Sequence, residues 1–162
     1  MAMFGDKIPQ SAKLLYRASE HNFKIDKFHE KCDNVPHTLT LCETVHGKVI
    51  GGYTPLVWDK NLTINKLMKD DSGSSFIFSL TNNHKFKLNK AKDAIYQSNS
   101  IGPTFGNGNP DFYINDNANT SNSYAMINNS YVNSYYTAGN GDSYTNFTGN
   151  TDKTPNFKTK EW

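Results

Sequence analysis

The cysteine and histidine side chains between residues 29 and 46 are the groups in this chain best suited to metal binding. They form a C-x4-H-x4-C-x3-H series with one more histidine ahead of it: His29, Cys32, His37, Cys42 and His46. A zinc site needs four nitrogen or sulfur ligands that converge tetrahedrally, and common zinc modules use other spacings. The pattern therefore predicts no metal site.

The two thiols have a second role open to them, as redox groups. A reactive cysteine must be accessible and needs neighbouring positive charge that lowers its pKa. Lys31 precedes Cys32 in the sequence, but Cys32 shares a helical face with Phe28, which favours a buried thiol. Cys32 and Cys42 are therefore redox candidates only, and two cysteines are too few for a disulfide framework.

Other patterns that carry chemistry are incomplete. Residues 115–121 alternate oxygen-bearing side chains, but Asp116 is the only carboxylate in the run, which is too few for calcium. The sequence has no G-x-S-x-G nucleophile motif. Its glycine-rich segment 102–106 does not match a phosphate-binding loop. We expect no catalytic residue and no cofactor, and we expect a tight-loop role for Gly102, Pro103 and Gly106.

The composition excludes several classes of protein. A chain of 162 residues and 18.2 kDa fits one domain. Only 36% of residues are hydrophobic and the mean hydropathy is −0.70, but 13% are aromatic, and aromatic rings can supply the core. No apolar run reaches the ~18–20 residues of a membrane span, and the first residues do not resemble a secretory leader. We expect a reduced, cytoplasmic protein that does not insert into membranes.

Charge is unevenly distributed along the chain. Residues 1–92 contain 14 Lys/Arg and 9 Asp/Glu, whereas residues 93–152 contain five Asp and no Lys or Arg. This asymmetry suits a surface that orients a partner. The lysines are dispersed and Arg17 is the only arginine, which argues against nucleic-acid binding.

Alternation of apolar and polar residues predicts many short strands. Ile25, Phe28 and Cys32 instead follow a helical spacing and predict a short helix over 25–32. Gly51 and Gly52 inside a strand indicate a bulge or a close backbone approach. Strands are expected at 13–19, 38–44, 49–53, 75–80, 85–88, 94–97, 112–114 and 124–127, with hairpins at 38–53 and 75–88.

Short strands punctuated by Gly and Asn predict a mainly β fold, an antiparallel β-sandwich. We expect Tyr53, Phe76 and Phe78 to face its interior. Residues 98–151 are polar but rich in aromatic side chains. Irregular strands and long loops are expected there, with 137–151 the most mobile part.

An ordered series of sequence blocks resembles the TLDc domain family. The resemblance covers residues 13–162 as a TLDc-like domain and leaves 1–12 as an N-terminal extension. No single block is diagnostic, but their order and spacing hold. The blocks are Leu14-Leu-Tyr-Arg-Ala-Ser19, Phe28-His-Glu-Lys-Cys32-Asp33, Thr38-Leu-Thr-Leu41, Gly51-Gly-Tyr-Thr54 with Trp58, Ser75-Phe-Ile-Phe-Ser-Leu80, Gly102-Pro-Thr-Phe-Gly106, Asp111-Phe-Tyr-Ile114 and Ser130-Tyr131.

The resemblance implies a two-sheet antiparallel sandwich with a few short flanking helices. It also implies a role in protection from oxidative stress and, as in several family members, binding and regulation of the vacuolar-type proton ATPase. Gly73-Ser74-Ser75-Phe76 stands where better-studied members have an acidic residue, so a role for that carboxylate is not carried over. The terminal strand stops at Trp162, earlier than is usual in the family.

These observations predict a non-enzymatic protein-interaction module, monomeric in isolation, with a protein partner such as a vacuolar-type proton ATPase subunit. Interfaces of this kind use a few aromatic anchors, and the candidate partner-surface groups are Tyr131, Tyr135 and Tyr136. The alternatives are a thiol-based antioxidant or redox sensor, a glycan-binding sandwich, and a structural component of a larger assembly.

Overall fold

The computed structural model describes residues 11–61, 65–107 and 109–162. The predicted N-terminal extension, residues 1–12, lies outside these ranges except for its last two residues. The described residues form two antiparallel six-stranded sheets with two short α-helices. The predicted fold class, a two-sheet antiparallel β-sandwich with a few short flanking helices, is confirmed.

The strands among the described residues are short and are numbered in chain order. They are β1 (Thr38–Thr44), β2 (Val49–Thr54), β3 (Lys66–Met68), β4 (Phe76–Ser79), β5 (His84–Leu88), β6 (Ile95–Gln97), β7 (Thr104–Phe105), β8 (Phe112–Tyr113), β9 (Ser123–Tyr124), β10 (Tyr131–Val132), β11 (Asn156–Phe157) and β12 (Thr159–Glu161).

Sheet A has the strand order β10-β5-β4-β2-β1-β12. Both predicted hairpins are confirmed: β1 pairs with β2, and β4 pairs with β5. Because β2 also pairs with β4, the two hairpins lie side by side. The last strand, β12, pairs with β1 and ties the end of the described chain to the first hairpin.

Sheet B has the strand order β11-β9-β8-β7-β6-β3. Four of its strands contain only two residues, since Gly, Asn and Pro repeatedly interrupt this part of the chain. The strands predicted over 94–97 and 112–114 correspond to β6 and β8, whereas the strand predicted over 124–127 overlaps β9 only at Tyr124. No sequence pattern predicts β3 or β7.

The N-terminal part of the described chain is fixed by the C-terminal residues. The predicted strand over 13–19 is wrong, because Ala18–His21 forms a 3-10 helix. The Ala18 N–H donates to the Trp162 carbonyl at 2.7 Å, and the Tyr16 ring packs on Trp162 with centroids 4.6 Å apart. The predicted helix over 25–32 is confirmed as α1 (Ile25–Cys32).

A second helix, α2 (Gly141–Thr148), lies where irregular structure was predicted. The Asn140 side chain caps it by accepting hydrogen bonds from the N–H groups of Asp142 and Ser143 at 2.8 and 3.2 Å. Tyr144 and Phe147, three residues apart, are both buried. The prediction missed this helix because only two side chains on it are large and apolar.

The core lies between the sheets. Ile50, Ile77 and Phe86 of sheet A pack in one cluster with Phe105 and Phe112 of sheet B. The prediction that Tyr53, Phe76 and Phe78 face the space between the sheets is wrong, because these side chains alternate with the core positions of their strands and lie on the opposite face of sheet A, where Phe76 and Phe78 are nevertheless buried. A period of two fixes which residues share a face of a strand, but not which face is buried.

Candidate functional site

Two adjacent glycines allow aromatic rings to pack on both faces of β2. A Cβ atom at Gly51 would lie 2.8 Å from Phe78 Cζ and would also collide with the Thr40 carbonyl. A Cβ atom at Gly52 would lie 2.5 Å from Phe105 Cζ. Phe105 belongs to sheet B, so Gly52 permits close sheet-to-sheet contact, whereas Gly51 gives the Phe78 ring its place on the outer face. The predicted close backbone approach at these glycines is therefore present.

The outer face of sheet A is defined by two cross-strand rows that run from β1 to β5. Each row begins with a leucine and ends with a lysine. The first row is Leu39, Tyr53, Phe76 and Lys87, and the second is Leu41, Gly51, Phe78 and Lys85.

The two leucines are the exposed apolar part of this face. Leu39 and Leu41 are each 47% exposed, whereas Phe76 and Phe78 are buried. The predicted alternation of β1 is confirmed, since Thr40 and Cys42 occupy its inward positions. Two exposed leucines on the same side of one strand form an apolar patch that a partner can cover.

Aromatic contacts hold the centre of the outer face in one arrangement. Tyr53 stacks on Phe76 with ring centroids 5.3 Å apart. The hydroxyl of Tyr53 lies 2.9 Å from His37 Nδ1. The ammonium of Lys85 also lies 3.9 Å from the Phe76 ring centroid, a cation–π contact. These contacts fix the Tyr53 and Phe76 rings relative to each other.

Two lysines lie at the β5 end of the outer face, Lys85 and Lys87. Burial, and next the positive charge of Lys87, lower the pKa of Lys85. Within the ranges that the structure describes, neither lysine has a carboxylate oxygen within 4 Å. The two ammonium groups therefore repel each other.

Both redox candidates are buried. Cys32 is 6% exposed, and burial together with the charge of Asp33 raises the pKa of its thiol to about 12. Cys42 is 1% exposed, and burial raises the pKa of its thiol further. Neither position has the accessibility or the lowered pKa that a reactive thiol needs.

The three tyrosines predicted at a partner surface have different environments. Tyr131 is fully buried, and its hydroxyl donates to the Ala94 carbonyl at 2.6 Å. Tyr136 is 6% exposed, and its hydroxyl accepts from Asn82 Nδ2 at 3.1 Å. The prediction of a surface position is wrong for these two, because each ring fills the core and each hydroxyl is satisfied internally. Tyr135 alone of the three is at the surface, 76% exposed and stacked on His84.

The glycine–proline loop has a packing role. A Cβ atom at Gly102 would lie 2.8 Å from Ile25 Cδ1, and the Pro103 carbonyl accepts from the Ile114 N–H at 3.2 Å. Gly106 has φ +97° and lies against Asp111. These contacts fix the entry and exit of β7.

Asp111 is a buried carboxylate that the sequence did not single out as an ionisable group. Its two oxygens accept from the N–H groups of Asn129 and Ser130, both at 2.7 Å. These bonds connect the start of β8 in sheet B to the start of β10 in sheet A. Burial, which outweighs the backbone hydrogen bonds, raises the pKa of Asp111 to about 7. Nothing in the spacing of a lone aspartate indicates this environment.

The residues weighed as metal ligands are dispersed. Among the described residues, His, Cys, Asp and Glu side chains form no group of three or more that could hold a metal ion. Asp116 instead accepts from the Ile25 N–H at 3.0 Å and lies 3.6 Å from the Lys24 ammonium. It therefore caps α1, where a negative charge is favourable.

A comparison with models of known protein families identifies the family of this chain. No curated protein matches the chain, but the family model of the TLDc domain matches residues 2–161. Within the part of the chain that the structure describes, no helix has both the length and the apolar character required to cross a bilayer. The match spans nearly the whole sequence and agrees with the two-sheet sandwich, and the chain therefore belongs to the TLDc domain family.

Proposed function

We propose that this chain is a non-enzymatic protein-binding module and that it binds its partner through the outer face of sheet A. The observation that carries the proposal is the exposure of Leu39 and Leu41 on the same side of β1. Rigid aromatic and aliphatic side chains grouped on one surface are typical of interface centres.

The expected contribution of the leucines can be estimated from their exposure. Full burial of a leucine side chain contributes about 1.5–3 kcal/mol. Covering the exposed half of each therefore contributes about 1 kcal/mol, or about 2 kcal/mol for the pair, which corresponds to roughly 30-fold in affinity. This is enough to make the pair a detectable part of an interface.

We further propose that the partner is a subunit of the vacuolar-type proton ATPase and that the cytoplasmic protein acts in protection from oxidative stress through this binding. Membership of the TLDc family supports both proposals, because these are the roles that the sequence resemblance implies. The burial of Cys32 and Cys42 favours protection by binding over protection by a thiol reaction.

A binding assay against the purified proton ATPase complex tests this function. We expect the double substitution Leu39→Ser and Leu41→Ser to weaken binding by about 30-fold. The matched control is Leu67→Ser, because Leu67 is 40% exposed but lies on β3 of sheet B. If the double variant binds as tightly as the unmodified protein, the proposed surface is wrong. If no proton ATPase subunit binds the unmodified protein, the proposed partner is wrong.

A further inference from the structure

We propose that His29 is a pH-responsive latch, which holds the loop between β6 and β7 against α1 while both of its ring nitrogens carry a proton. The latch joins the end of α1, residues 98–103 and residues 58–60. It does not involve the outer face of sheet A, so it stands apart from the function proposed for that face.

The His29 ring is buried with an oxygen atom beside each of its nitrogens. Nδ1 lies 2.7 Å from Asp33 Oδ1, and Nε2 lies 3.3 Å from the carbonyl oxygen of Ile101. The side chains of His29 and Asp33 are only 3% and 9% exposed. Solvent therefore screens the interaction between them weakly.

These two contacts together require two protons on the ring. A neutral imidazole has one N–H donor and one lone pair, and that lone pair would face either the Asp33 carboxylate or the Ile101 carbonyl. An ionised carboxylate and a carbonyl both accept hydrogen bonds and donate none. The imidazolium form donates to both oxygens, and the carboxylate provides the negative charge that a buried cation needs. His29 also lies in the last turn of α1, where positive charge is favourable.

The ionisable group in contact with the ring is the Asp33 carboxylate. Its second oxygen, Oδ2, accepts from the Lys60 N–H at 2.9 Å, which fixes it from the 58–60 side. The loop over 98–103, Ser-Asn-Ser-Ile-Gly-Pro, contains no charged side chain. The Phe28 ring packs edge-on against the imidazole with centroids 5.1 Å apart. On the same helix, burial and next the charge of Asp33 raise the pKa of the Cys32 thiol to about 12, so this thiol stays neutral.

Loss of one proton would weaken the latch at the loop. The bond from Nδ1 to Asp33 is the stronger one because its acceptor is charged, so the lone pair of the neutral ring would face the Ile101 carbonyl. The Gly102 N–H donates to the Ile114 carbonyl at 2.9 Å, which holds the far end of the loop independently. We therefore expect the response at residues 99–101.

The responding residues form part of the wall of a surface cavity of about 320 Å³. The lining residues are Asn99 and Ser100 of the loop, Lys24, Ile25 and Asp26 at the start of α1, and Asp116. The protonated latch holds the loop wall against the helix wall, and deprotonation lets the two separate.

NMR of the ¹⁵N-labelled protein tests the latch directly, because the chemical shift of a ring nitrogen shows whether it carries a proton. Over a titration from about pH 5 to about pH 9, which spans the range in which histidines change charge, we expect both nitrogens of His29 to be protonated at the acidic end. Nε2 should lose its proton as the pH rises, and the amides of 99–101 should shift with the same midpoint. The exposed His46 is the internal reference, and these amides should not follow its titration.

Variants test the part played by the carboxylate. Asp33→Asn should move the midpoint of His29 to lower pH by about one unit or more, because a nearby negative charge favours the imidazolium. Asp26→Asn is the matched control, since Asp26 is exposed on the same helix, and its effect should be smaller. In His29→Gln the pH-dependent shift of 99–101 should disappear. The titration of the unmodified protein decides the proposal even if a variant does not fold.

Three results would each overturn the latch. A His29 ring with a single proton over the whole range would mean that the Asp33 carboxyl carries the second proton or that one contact is absent. A ring that stays doubly protonated throughout would remove the pH response. Loss of the Nε2 proton without any shift of 99–101 would show that the ring does not hold the loop.

Discussion

Gly52 lies against the ring of Phe105 so closely that a Cβ atom at Gly52 would be 2.5 Å from Phe105 Cζ. The preceding residue, Gly51, faces the other way and supports Phe78. Strand β2 therefore contacts the core through Gly52 and the aromatic rings of the outer face through Gly51. Disturbance of the sheet contact at Gly52 should change the stability of the whole sandwich.

We expect Gly52→Ala to lower the free energy of unfolding by about 1–3 kcal/mol, because overpacking forces neighbouring side chains from their preferred positions. The three atoms nearest to the added Cβ all belong to the Phe105 ring. Phe105→Leu should therefore cost less in the Gly52→Ala background than alone. Urea unfolding of the four proteins measures this coupling, and strictly additive losses would contradict it.

Gly51→Ala should lose stability in urea unfolding without being rescued by a smaller neighbouring side chain. Its Cβ would collide with the Thr40 carbonyl as well as with the Phe78 ring, and backbone cannot move aside as a side chain can. We expect Phe78→Leu to give no rescue of Gly51→Ala. Full recovery of the unfolding free energy would contradict this prediction, because it would show that only the Phe78 ring prevents a side chain at residue 51.

The sequence predicted the hairpins well and the placement of aromatic rings poorly. Alternation over 38–44 gives β1 correctly, but the leucine side of the strand is the exposed side, contrary to simple hydrophobicity. The same ambiguity assigned Phe76 and Phe78 to the face of sheet A that contacts sheet B, whereas they are buried on the opposite face. Only the pairing of Gly51 with Phe78 and of Gly52 with Ile77 distinguishes the two faces, and pairing between hairpins is a tertiary property that local pattern does not encode.

Individual features of the candidate site could be predicted from the sequence, but their arrangement could not. The glycine pair and the alternation of β1 were visible in the sequence, whereas the cross-strand rows require the order of four strands. Tyr131 and Tyr136 were mistaken for surface groups because their neighbours are polar. Their burial depends on contacts with Ala94 and Asn82, which are distant in sequence.

Asp111 predicts a specific pH dependence of stability. Its pKa is raised from an ordinary 3.8 to about 7, so the folded state holds this proton more tightly than the unfolded state. The resulting stabilisation is complete below about pH 4 and is lost as the pH rises through about 7. Relative to Asp111→Asn, the unmodified protein should lose about 1–3 kcal/mol of unfolding free energy between pH 5 and pH 8.

Urea unfolding at several pH values measures this difference. The control is Asp152→Asn, because Asp152 is exposed and its hydrogen bonds with Thr154 lower its pKa, so it stays ionised throughout that range. A difference between the unmodified protein and Asp111→Asn that stays constant from pH 5 to pH 8 would contradict the assignment.

The two thiols should be inert in the folded protein. Cys32 and Cys42 are both buried and their thiols have raised pKa values, so the thiolate that reacts with a disulfide reagent is scarce at neutral pH. We expect both to react with a chromogenic disulfide reagent only on the timescale of unfolding, and quickly in denaturant. Rapid labelling of either thiol in the native protein would contradict this prediction and would support a redox role for that cysteine.

Hydrogen exchange of the protein, free and bound to the purified proton ATPase complex, tests the central claim most directly. The account predicts slower exchange on binding for the amides of β1 and β5, with β3 and β11 of sheet B unchanged. Protection confined to sheet B, with β1 and β5 exchanging as in the free protein, would contradict it.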